Sequence, residues 1–84
     1  MLSQRQKMLL RIQELDLIHD KIEESWKDDP AIGVELVKDS NDWMISKYFD
    51  RLDACKVENL NSLEKEINLS ISEAKQSLEE LKND

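Results

Sequence analysis

His19 is the single histidine of the chain, and the carboxylates near it in the sequence make it the first candidate for a catalytic or metal-binding residue. In a helix, Asp16 and Glu23 lie one turn before and one turn after it, so the three side chains share a face. A carboxylate-x-x-His pair is part of the ligand set of di-iron helical bundles, which also need a second such pair and further glutamates on facing helices. The apolar stripe of the C-terminal helix described below offers no carboxylate. We therefore predict no metal and no cofactor, and interpret His19 as a buried or interfacial histidine held by a neighbouring acid.

Two further residues that could be reactive also have structural interpretations. Cys55 has no histidine nearby in the sequence to activate its thiol, so we expect it to act as a small apolar residue. A single cysteine also forbids an intrachain disulfide. Lys56 falls within an apolar helical stripe, where its stem could lie on apolar surface with its amine in water, or where it could select a register or partner. No catalytic constellation remains, and we predict that the chain is not an enzyme.

The N-terminal part of the chain predicts a helix over residues 3–27. Ser3 and Gln6 have the spacing of a capping box, in which the serine oxygen accepts a first-turn N–H and the glutamine reaches back. Asp28-Asp29-Pro30 is the strongest break, because proline favours the first position of a helix and aspartate the cap before it. Between these signals, apolar residues recur on one helical face at Met8, Ile12, Leu15, Ile18, Ile22 and Trp26.

Two further helices are predicted, over residues 30–39 and 42–82. The run Asp39-Ser40-Asn41-Asp42 contains good N-cap residues, so we expect a kink or a short break there. The third helix carries an apolar stripe whose ten steps cover 36 residues, which is the period of a straight helix rather than of a supercoiled heptad. The stripe consists of Ile45, Phe49, Leu52, Lys56, Leu60, Leu63, Ile67, Ile71, Ala74, Leu78 and Leu81.

The predicted third helix is too long for its partners within the chain. Its 41 residues would span about 60 Å, whereas a first helix of roughly 24 residues spans about 36 Å. An apolar stripe without cover invites association, so we expect a second copy of the chain to lie on it unless the second helix does. The predicted fold class is all-α, a helical hairpin or three-helix arrangement with one long C-terminal amphipathic helix, forming a bundle or a coiled-coil dimer. We expect residues 1–84 to form a single domain.

All four aromatic residues fall between residues 26 and 49, in a region where apolar side chains point in several directions. We call Trp26, Trp43, Tyr48 and Phe49 the aromatic hub. A helix that is apolar on most faces is buried on most faces, so the hub is either the core where helices converge or a landing site for a partner. For Trp43 we favour the core, with Ile32 and Leu36 as cover. The candidate interface residues are Trp26, Trp43, Tyr48, Phe49, Leu60, Leu63, Ile67, Ile71 and Leu78.

Charge and hydropathy argue against several classes of partner. The net charge is −7, and binding to DNA or RNA needs clustered lysine and arginine, so we expect neither nucleic acid nor an anionic membrane as a partner. No apolar run approaches the length of a membrane span. The basic start over residues 1–13 continues without a break into acidic helix, so we expect no targeting segment and a cytoplasmic location.

Together these patterns favour a non-enzymatic protein–protein interaction module. It would be a small acidic helical regulator, adaptor or co-chaperone that acts as an oligomer, as a homodimer above all, and binds another protein. The alternative is a structural coiled-coil subunit of a larger assembly, in which the C-terminal helix is the working part. A small all-helical enzyme is the least favoured of the three.

Overall fold

The described part of the chain forms a bundle of three helices. The computed structural model describes residues 1–27 and 34–82, with side chains for residues 1–27 and 37–81. In these residues the helices are α1 (Gln4–Trp26), α2 (Val34–Ala54) and α3 (Leu60–Lys82), with a 3-10 turn at Val57–Asn59, and there is no strand. The predicted all-α class and three-helix arrangement are confirmed. The predicted break at Asp28-Asp29-Pro30 lies outside the described residues.

The start of α1 follows the capping-box prediction. The Ser3 Oγ accepts a hydrogen bond from the Gln6 backbone N–H at 3.2 Å, and the Ser3 N–H donates to Gln6 Oε1 at 2.8 Å. Both bonds satisfy N–H groups that lie at the start of a helix and lack helical partners. The helix ends at Trp26, one residue before the predicted limit.

Helix α1 lies between the other two helices and supplies the centre of the core. Its Met8, Ile12 and Leu15 side chains are at most 1% exposed. It packs along both α2 and α3, which touch each other much less. Burying an aliphatic side chain of this size contributes about 1.5–3 kcal/mol. The other helices add Ile45, Leu52, Leu60, Leu63, Ile67, Ile71 and Ala74 to the same core.

The predicted bounds of the second and third helices are wrong. Helix α2 runs through residues 39–42 without a break, and the chain reverses at residues 55–59 instead of continuing as one helix over 42–82. A continuous helix would extend far beyond α1, whose 23 residues span about 35 Å. Reversal lets both halves of the apolar stripe pack on α1, which explains why the chain turns here without glycine or proline.

Side chains from α1 form hydrogen bonds with the residues on both sides of the reversal. The Arg5 guanidinium donates to the Leu52 backbone oxygen at 2.7 Å and to the Cys55 backbone oxygen. The last carbonyls of a helix lack partners and carry partial negative charge, so an arginine satisfies them well. The Gln4 amide donates to Asn61 Oδ1 and Glu64 Oε2, each at 2.8 Å. The starts of α1 and α3 therefore meet the end of α2, and we call this the closed end.

Residues 55 and 56 lie in the reversal between α2 and α3 and not within a helix. Lys56 is exposed and extended, with φ −73° and ψ 151°, so it is not part of a helical stripe. Both interpretations of it as a stripe lysine are wrong. Cys55 is half-buried against the core, as expected of a small apolar residue, and its thiol donates to the Lys56 carbonyl at 3.4 Å.

Candidate interaction groove

Helices α2 and α3 separate as they leave the closed end. Among the described side chains, two polar contacts join them: Tyr48 Oη lies 2.6 Å from Ser70 Oγ, and Arg51 pairs with Glu66. Towards the start of α2, a groove opens between the two helices and α1 forms its floor. We call this part of the bundle the open end.

The groove is a cavity of about 270 Å³ that is lined by both polar and apolar side chains. On each helix its residues recur at three- or four-residue spacing, so each wall is one helix face, two turns or about 10 Å long. Its described lining contains no lysine or arginine. The floor is His19, Ile22 and Trp26, the α2 wall is Val37, Asn41 and Met44, and the α3 wall is Ser70, Glu73, Ala74 and Ser77.

His19 lies on the groove floor and is 9% exposed. Burial lowers its pKa because the imidazolium would lose its water, and this outweighs the opposite effects of Glu23, Asp16 and Asp20. The ring is therefore neutral at pH 7. Its Nδ1 has no hydrogen-bond partner among the described residues. The prediction of burial is confirmed, but Nδ1 is not held by a neighbouring acid.

A buried carboxylate lies one turn beyond the histidine. Glu23 is 7% exposed, and its Oε1 accepts a hydrogen bond from Asn41 Nδ2 at 2.8 Å. This bond joins α1 to the open half of α2. It also explains why residues 39–42 stay helical, since Asn41 bonds across the bundle instead of capping a new helix.

Acidic groups crowd the side of α1 that faces α2. Burial raises the pKa of Asp16. The nearby carboxylates of Asp20 and Asp42 raise this pKa further, and His19 lowers it. Among the described residues the ion pairs lie elsewhere, as Arg11–Glu14, Lys75–Glu14 and Arg51–Glu66. The carboxylates of Asp16, Asp20 and Asp42 therefore lie near one another without an ion pair among the described residues.

The carboxylates and His19 do not assemble into a metal site in the part of the chain that is described. No group of three or more histidine, cysteine, aspartate or glutamate side chains there is arranged to hold a metal ion. The sequence expectation of no metal and no cofactor stays a prediction.

The candidate interface residues fall into three groups by burial. Four of them are 0–4% exposed and lie in the intrachain core, namely Leu60, Leu63, Ile67 and Ile71. Four more pack against that core and are partly buried, namely Trp26, Tyr48, Phe49 and Leu78. The first group was expected to face a second copy because its stripe lacked cover. That premise is wrong, because α1 covers the stripe.

Trp43 is the one candidate that stays in solvent. It is 65% exposed, and the Lys47 Nζ lies 5.5 Å from the centroid of its ring. The expectation that Trp43 belongs to the core is wrong for this reason. It directly precedes Met44, which lines the groove and is 37% exposed. The proposed cover, Ile32 and the Leu36 side chain, lies outside the described residues.

Several groove residues were not anticipated from the sequence. Val37, Asn41 and Met44 share the spacing of one helix face, and Ser70, Glu73 and Ser77 share another. The sequence shows this spacing, but it does not predict that α2 and α3 separate to form a groove. Exposed leucines on α1 were missed as well: Leu10 and Leu17 lie seven residues apart and are 52% and 62% exposed.

Comparison with other proteins adds no relative. No protein-family model, curated protein or solved structure matches the chain. In the described helices, no stretch combines the length and the hydropathy needed to cross a membrane.

Proposed function

We propose that the chain is a non-enzymatic protein–protein interaction module, a small acidic helical adaptor or regulator, and that it receives its partner at the open end. The observation that carries this proposal is the exposure of Trp43, which directly precedes the groove residue Met44 in α2. The indole lies outside the core while the neighbouring Met44 lines a gap between two helices. We expect the Trp43 indole and the groove to contact the same second protein.

The chemistry of these two residues suits a binding role. Tryptophan offers a large apolar area at low cost in conformational entropy, and it is enriched among the residues that dominate binding energy. Methionine is flexible and polarisable, so it adapts to an incoming side chain. Their exposure at adjacent positions of α2, one of which lines the groove, supports a contact surface.

The alternative of a structural coiled-coil subunit loses its main support. It relied on a long C-terminal helix with an unpaired stripe, whereas α3 has 23 residues and its stripe packs on α1. The interaction module therefore remains the function that the geometry favours.

The proposal is tested with Trp43→Ala. Truncating a buried tryptophan costs about 3–5 kcal/mol, so an exposed one should leave the midpoint of urea unfolding almost unchanged. Capture from the native source, followed by mass spectrometry, should then lose the proteins that the wild-type chain retains.

The matched control is Leu69→Ala, which truncates an apolar side chain on α3 that is 60% exposed and does not line the groove. It should retain the same proteins as the wild type. Equal retention by Trp43→Ala and Leu69→Ala would contradict the proposal, as would a large loss of stability on truncating Trp43.

A further inference from the structure

We infer that the occupant of the groove is a basic amphipathic helix of a partner protein, one lysine or arginine of which enters between α2 and α3. This inference rests on the proposed function and specifies the chemistry of the partner. It follows from the size of the groove, from its charge and from the buried histidine on its floor.

The size of the groove suits one or two side chains of a docked helix. Its volume of about 270 Å³ lies below the range of about 300–1,000 Å³ that is usual for pockets that enclose drug-sized ligands. Its walls are two helical turns long and open to solvent along their length. One or two side chains at i and i+3 or i+4 of a docked helix match that length.

The charge of the groove favours a cation on the partner. Glu73 lines the α3 wall and has no ion-pair partner among the described residues. A purely apolar occupant would take Glu73 out of water without compensation, which is costly. A basic side chain compensates the carboxylate, while its aliphatic stem packs on Ile22 and Met44. An acidic helix would meet like charge and be repelled.

His19 is a second feature that points to an incoming donor. Buried polar atoms almost always have a hydrogen-bond partner, whereas its Nδ1 has none among the described residues. A neutral imidazole with its proton on Nε2 offers Nδ1 as an acceptor. Nδ1 is shielded from water in the unbound chain. We therefore expect the ring to rotate about χ2 when an ammonium or guanidinium group binds it. Glu73 and His19 then provide two acceptors for one cation.

The probe is a synthetic amphipathic peptide of about 18 residues, or five helical turns, with leucine on one face and lysine beside it. Its control peptide has glutamate in place of every lysine. Added to ¹⁵N-labelled protein, the basic peptide should shift the amide signals of residues 19–26, 37–44 and 70–77, and the acidic peptide should not. Binding of both peptides, or shifts confined to other residues, would overturn the inference.

Two charge reversals on α3 separate groove recognition from general attraction to an acidic protein. Glu73→Lys and Glu79→Lys change the net charge equally, and both residues are exposed, but only Glu73 lines the groove. Glu73→Lys should weaken binding of the basic peptide at least about tenfold, a change of about 1.4 kcal/mol. Glu79→Lys should weaken it by no more than about threefold. Equal losses would overturn the inference.

The outcomes also distinguish this inference from the proposed function. Capture of native partners that depends on Trp43, combined with failure of the basic peptide to bind, overturns the inference alone. Capture that does not depend on Trp43 overturns the proposed function itself.

Discussion

At the residue scale, His19 is an ionisable ring in a buried site that disfavours its charged form. Its folded pKa lies below the ordinary value of 6.5, so the folded chain binds this proton less readily than the unfolded chain. The stability that depends on neutral His19 is therefore complete above pH 6.5. It is lost as the pH falls from 6.5 through the lowered pKa of the folded state.

We expect His19→Gln, which removes the titrating group, to flatten this pH dependence. Urea unfolding of the wild type should show a falling midpoint between about pH 7 and pH 5, and the variant should show a smaller fall. An equal fall in both proteins would show that His19 does not control stability in this range.

Asp16 should act with the opposite sign. Its folded pKa is raised above 3.8 by burial and by Asp20 and Asp42, so its ionised form is penalised at neutral pH. Asp16→Asn should therefore raise the free energy of unfolding at pH 7, and the gain should vanish below about pH 3.8, where the aspartate is protonated in both states. The check is the difference between wild-type and variant midpoints at the two pH values. Destabilisation by Asp16→Asn at pH 7 would contradict this account.

At the element scale, the sequence predicted α1 far better than the division between α2 and α3. The limits of α1 follow from local signals, namely the Ser3–Gln6 capping box and one apolar face. The reversal at residues 55–59 has no comparable local signal. It arises because the stripe on both sides needs the same partner, and that partner is only as long as α1. The sequence showed that the predicted third helix is longer than the first. It did not show that the chain resolves this mismatch by reversing at residues 55–59.

Residues 39–42 show the converse case. Their cap-forming side chains predicted a break, yet the helix continues through them. Asn41 is occupied by its bond to Glu23, and Asp39, Ser40 and Asp42 keep at least part of their surface in water. Tertiary contact therefore overrode the local preference, as it commonly does for residues of weak helical propensity.

Arg5 allows the closed end to be tested as an element junction. Arg5→Met should remove two charge-assisted hydrogen bonds to the end of α2 and lower the free energy of unfolding by about 1.5–3 kcal/mol. Arg11→Met is the control. Arg11 is exposed, and among the described residues it pairs only with Glu14 at 3.6 Å, so its loss should cost about 0–1 kcal/mol. Urea unfolding of both variants checks this. Similar small losses would show that Arg5 does not fasten the reversal.

At the scale of the whole molecule, the structure changes where self-association is expected. The stripe of α3 is buried, and Leu63 is 4% exposed, so Leu63→Asp should unfold the chain. The apolar surface that remains available includes Leu10 and Leu17, on the side of α1 that faces away from its core residues.

We therefore expect self-association through the outer face of α1. Light scattering at micromolar concentration should give about twice the chain mass of 9.9 kDa, and Leu17→Glu should return the mass to that of one chain. Leu69→Glu, at an exposed leucine of α3, should leave the dimer intact. A wild-type mass of one chain, or equal effects of the two variants, would contradict this expectation.

The central claim at this scale is that the open end contacts another protein, and site-specific photo-crosslinking tests it most directly. A photoreactive benzoylphenylalanine replaces Met44, which lines the groove, or Leu69, which does not. Illumination in the native source should join a partner protein to the chain labelled at position 44 and not to the chain labelled at position 69. No adduct from position 44, or the same adducts from both positions, would contradict the claim that the groove is a docking surface.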